Sequence, residues 1–114
     1  MADTPVALGH PALKGQKISF RSFHNKRRQP GPADHGTAVA AILVGKTSGG
    51  ALGGLLPSAQ LWAANIFEIN RKGKSVGNTY ALIRAMDWLV AQKLHVLNLS
   101  IAGKANKILA RAIK

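Results

Sequence analysis

The chain has 114 residues, 46% of them apolar, and a formal net charge of +12 from 16 Lys and Arg against 4 Asp and Glu. That length fits one small domain, and the apolar share excludes an intrinsically disordered chain. No apolar run reaches the ~18 residues of a membrane-spanning helix, and the lack of cysteine excludes disulfides and thiolate metal sites.

Residues 1–15 read as a loop, with turn signals at Thr4-Pro5, Gly9-His10-Pro11 and Lys14-Gly15. Residues 18–23 alternate Ile18, Phe20 and Ser22, the pattern of a short strand. Residues 24–34 are basic and contain Pro30 and Pro32, which predicts a loop. Residues 37–44 are apolar on nearly every side and predict a helix buried all round. Asp34 precedes that helix as its start, and Gly45 stands at its end as a C′ residue. A glycine-rich loop over 46–58 follows. Residues 61–67, Leu-Trp-Ala-Ala-Asn-Ile-Phe, predict a buried strand, and 68–78 a polar loop. The next helix takes Asn78 or Thr79 as its N-cap. Leu82, Met86, Leu89 and Val90 share one face of it, opposite Arg84, Asp87 and Ala91. Residues 95–101 read as a second buried strand, and 105–114 as the beginning of another helix.

Strand, helix, strand in this order predicts parallel pairing with a right-handed crossover. The fold class is therefore α/β: three layers, with a mostly parallel sheet and helices on both faces. The opening Met-Ala-Asp shows neither the basic nor the apolar region of an export signal. A secreted or periplasmic parent protein would carry that signal outside these residues.

The charge has one tight cluster, Lys26-Arg27-Arg28. The other cations, including Arg71, Lys72, Lys74 and Arg84, are scattered in sequence and read as a solvated surface. A field of this sign attracts anionic partners without specificity. His10, His24 and His95 lack the spacing of a metal site, and no cofactor is expected.

Three segments carry the chemistry. Asp3-Thr4-Pro5-Val6 is followed by His10-Pro11-Ala12-Leu13. Asp34-His35-Gly36-Thr37-Ala38-Val39-Ala40 opens the first helix. Val96-Leu97-Asn98-Leu99-Ser100-Ile101-Ala102-Gly103 closes the series. In this order they resemble the aspartate, histidine and substrate-strand segments of the subtilisin-like serine proteases, peptidase family S8. Leu56-Pro57-Ser58-Ala59-Gln60-Leu61 is similar to that family's lead into a strand. The likeness runs over nearly the whole chain, so residues 1–114 are expected to be part of such a catalytic domain.

The resemblance implies a general base at His35 and, at Asp3, the carboxylate that orients it and stabilises its imidazolium. Asp34 adjoins His35 in sequence, but neighbouring residues rarely face each other as such a pair must. Ser100, Ile101, Ala102 and Gly103 would form one wall of a groove that pairs with an extended peptide or protein substrate. Pro5 and Ala102 stand where the family usually has glycine.

The family's nucleophile follows the histidine in chain order, in a Gly-Thr-Ser segment that these residues do not contain. Ser19, Ser22, Ser48, Ser58, Ser75 and Ser100 all lack that context, and the oxyanion asparagine is missing too. With almost nothing before Asp3, the strands at 61–67 and 95–101 are also expected to have open edges. Three readings follow: the first half of a serine endopeptidase domain, a catalytically inactive peptide-binding module, or a basic nucleic-acid-binding module. The third lacks helix-turn-helix or zinc spacing and aromatic interleaving on its strands.

Overall fold

The computed structural model describes residues 1–46 and 53–100. Its elements in chain order are β1 (Ala2–Asp3), β2 (Ile18–Ser22), α1 (Asp34–Val44), β3 (Leu61–Asn65), β4 (Phe67–Ile69), β5 (Ser75–Gly77) and α2 (Thr79–Val90). The main sheet is parallel in the order β1-β3-β2. A parallel bridge between Ala2 and Leu99 extends it beyond β1, with Ala2 N–H donating to Asn98 C=O at 3.0 Å and Ser100 N–H to Ala2 C=O at 3.3 Å.

Alternation along β3 builds two cores. Leu61 and Ala63 pack with Met1, Val6, Leu13, Ala40 and Val44 on the α1 side. Ala64 packs with Ala2, Phe23, Ile66 and the apolar face of α2 on the other, where Trp62 joins it. Successive side chains of a strand point to opposite faces, so the two helices cover opposite sides of one sheet. This is the expected three-layer α/β arrangement.

Several expectations change. Helix α1 begins at Asp34, not Thr37, after Ala33 in the cap position with no side-chain bond. It is buried on one side only: Gly36, Thr37, Ala40 and Val44 face inward, while Ile42 is 62% exposed. Gly45 keeps an ordinary negative φ of −56°; its missing Cβ instead lets the chain pass close to Ala41 C=O. The strand predicted over 61–67 stops at Asn65, whose side chain accepts from Phe67 N–H at 2.9 Å and donates to Phe67 C=O at 3.1 Å. Those bonds turn the chain out of the ladder. The loop predicted over 68–78 is largely an antiparallel hairpin of β4 and β5, turning at Gly73 with φ +76°.

Helix α2 starts as predicted, with Asn78 Oδ1 accepting from Ala81 N–H at 3.1 Å. Leu82, Met86 and Leu89 are buried, but Val90, in the last turn, is 65% exposed. Of the strand predicted over 95–101, the described residues 95–100 contribute one bridge to the sheet rather than a full strand. β3 has no open edge, since β1 and β2 flank it. The helix expected over 105–114 and most of the expected groove wall lie outside the described residues.

Candidate active site

Asp3 ends β1, and the pairing register sets Asp3, Asn65 and Ser22 in one row across the ends of three parallel strands. The carboxyl ends of such strands are where open α/β sheets hold their ligands. Ser22 Oγ accepts from Asn65 Nδ2 at 2.8 Å. Asp3 and its register partner Asn65 are both fully buried.

A buried carboxylate needs donors, and Asp3 has two on one oxygen. Its Oδ1 accepts from Thr4 N–H at 2.6 Å and faces His35 Nδ1 at 2.8 Å. Among the described residues Oδ2 has no partner. The His35 ring lies largely in the open, its side chain 61% exposed. One nitrogen is thus tied to a buried carboxylate while the other faces outward. Asp34 does not take that place; it sits exposed in the first turn of α1, where a negative charge suits the helix dipole.

What holds the β1 end against α1 is a pair of threonine bonds. Thr4 Oγ1 accepts from Gly36 N–H at 2.6 Å, and Thr37 Oγ1 accepts from Ala7 N–H at 2.8 Å. The first bond satisfies one of the unpaired N–H groups at the helix start, using a side chain from a distant segment. Gly36 is required by the closeness of that contact: a Cβ there would lie 2.6 Å from Pro5 C=O and 2.8 Å from Thr4 Oγ1. Sequence reading missed both threonine roles. Their signal is the threonine that directly follows Asp3 and the one that follows Gly36.

Of the expected groove wall, Ser100 is placed beside β1, and its Oγ accepts from Asn98 Nδ2 at 3.0 Å. Ile101, Ala102 and Gly103 lie outside the described residues. A concavity of about 310 Å³ runs along α1 past Ala7, His10, Ala33 and Thr37. It includes neither Asp3 nor His35, so it is not the place where these two groups meet. His10 and His24 make local bonds only, to Ala12 N–H and to Ser22.

The model of the subtilase family, peptidase S8, matches residues 1–112. The chain is a subtilase. It is 31% identical over 80 residues to the minor extracellular protease Epr of Bacillus subtilis (strain 168), a match covering 69% of this subtilase and 12% of that relative. Among solved structures, the protease domain of PatA superposes with a TM-score of 0.74 at 24% identity, covering 98% of this chain and 43% of that one. The prenylagaramide maturation protease PagA gives 0.65 at 22% identity, covering 98% and 38%. At those identities the structures establish the fold alone. This subtilase spans less than half the length of these relatives.

Proposed function

We propose that this subtilase is the first part of a serine endopeptidase domain, in which Asp3 and His35 are two members of the triad. The observation that carries the reading is the 2.8 Å contact from His35 Nδ1 to the buried Asp3 carboxylate. In this reading Nδ1–H donates to Asp3, which leaves Nε2 as a free acceptor. Nε2 takes the proton of a serine hydroxyl as that oxygen attacks the peptide carbonyl, then returns it to the leaving amine. Asp3 stays ionised throughout and stabilises the imidazolium. The substrate would lie extended along 100–103.

The nucleophile comes from residues outside these 114. Among the described residues no serine hydroxyl bonds the His35 ring. The purified chain is therefore expected to show no turnover of a chromogenic peptide; cleavage blocked by a serine-directed inhibitor would overturn that expectation. In a longer polypeptide that carries the serine, His35→Ala lowers kcat by about 10⁴-fold or more. Undiminished turnover of that variant would overturn the role of His35.

A further inference from the structure

The cations that look scattered in sequence are gathered by the hairpin. Pro30 bridges Glu68 antiparallel, Ile69 N–H donates to Gln29 C=O at 2.9 Å, and Gly31 N–H donates to Phe67 C=O at 3.1 Å. The 29–31 stretch therefore runs along β4 opposite β5. Extending this register sets Arg28 across from Asn70. Two turns come to the same end of this small sheet, one bearing Lys26, Arg27 and Arg28, the other Arg71, Lys72 and Lys74. Adjacent strands are only ~4.8 Å apart.

Both turns are held in shape by asparagine. Asn25 Oδ1 accepts from Arg27 N–H at 3.0 Å. Asn70 Oδ1 accepts from Lys72 N–H at 3.0 Å and Lys74 N–H at 2.9 Å. Glu68 ties the first turn down, accepting from Asn25 N–H at 3.1 Å and from Arg28 Nη1 at 3.0 Å. Lys26, Arg27, Arg71, Lys72 and Lys74 remain exposed. The only carboxylate in the layer is Glu68, 2% exposed and committed to Arg28. The surface thus presents a fixed group of cations that nothing in the described residues neutralises.

We propose that this end of the hairpin layer is a docking surface for an acidic segment of a polypeptide. The charge complementarity is direct, and the held turns reduce the ordering cost of binding. A polypeptide fits better than a single-stranded nucleic acid because neither turn carries an aromatic side chain on which a base could stack. The surface needs no peptidase activity, so it stands or falls apart from the triad reading.

Fluorescence anisotropy of a labelled oligoglutamate with the full chain tests this, with oligoglutamine and oligothymidylate of equal length as comparators. Oligoglutamate binds, and Arg71→Ala/Lys72→Ala/Lys74→Ala or Lys26→Ala/Arg27→Ala weakens it by about tenfold or more, whereas Lys14→Ala/Lys17→Ala/Lys46→Ala changes it less than about twofold. Circular dichroism confirms that each variant is folded. Equal weakening by all the variants would reduce the effect to bulk charge and overturn the proposal. Tighter binding of oligothymidylate, or equal binding of oligoglutamine, would overturn it as well.

Discussion

The hydrogen bond from His35 to Asp3 decides which ring nitrogen carries the proton in the neutral imidazole. An ionised carboxylate can only accept, so in the proposed pairing Nδ1 holds the hydrogen and Nε2 does not. Nitrogen-15 NMR of His35 is expected to show the Nδ1–H tautomer, and Asp3→Ala to shift it toward Nε2–H. An unchanged tautomer in that variant would mean that Asp3 does not orient the ring. Gly36 is the second residue on which the geometry depends. Gly36→Ala forces a Cβ against Pro5 C=O and Thr4 Oγ1, and costs about 1–3 kcal/mol in a denaturant titration. The pairing of Asp3 with His35 is legible in the sequence only through the order of its segments, since nothing in composition or periodicity joins residues so far apart. Thr4 is less legible, because an acceptor brought to the helix start from a distant segment leaves no signature beside the helix.

Among the elements, the hairpin and the loop before α1 depend on Glu68. Its carboxyl is pushed up by burial, but the hydrogen bonds from Asn78 and Asn25 and the Arg28 guanidinium outweigh this and hold it below the ordinary value of 4.5. A depressed folded value means that the unfolded chain binds the proton more readily. The stabilisation is then complete above that ordinary value and is lost as pH falls through the folded one. Glu68→Gln is expected to cost about 1–3 kcal/mol at neutral pH. The difference should shrink as pH falls through the depressed folded value, below which both chains carry a neutral side chain. A pH-independent difference in melting temperature would show that the charge of Glu68 is not what matters. The hairpin is hidden in the sequence because its strands are only three residues each, too short to show an alternating pattern. The end of β3 is hidden for a similar reason: Asn65 sits in an apolar run and turns the chain through its side chain.

For the molecule as a whole, the sheet is covered by a helix on each face. Ala2, Ala64, Ala81 and Ala85 are each at most 1% exposed, and these small side chains let α2 lie close to the strands. Ala85→Leu overpacks that contact and is expected to lower stability by about 1–3 kcal/mol, read as a lower melting temperature. The three-layer class is legible from the order of strand and helix and from the apolar run of 61–65. Which strand sits where is not legible, because β1 is too short to carry a pattern and takes its place through backbone pairing. That short strand also orders events in time. Its flanking partners are β3 and Leu99, both made long after it. At roughly 5–20 residues per second of synthesis, Ala2–Asp3 waits several seconds for its first neighbour and longer for its second. Its non-local pairing closes large loops before any ladder forms. The strand that carries the buried carboxylate is thus made well before either of the segments that hold it in the sheet.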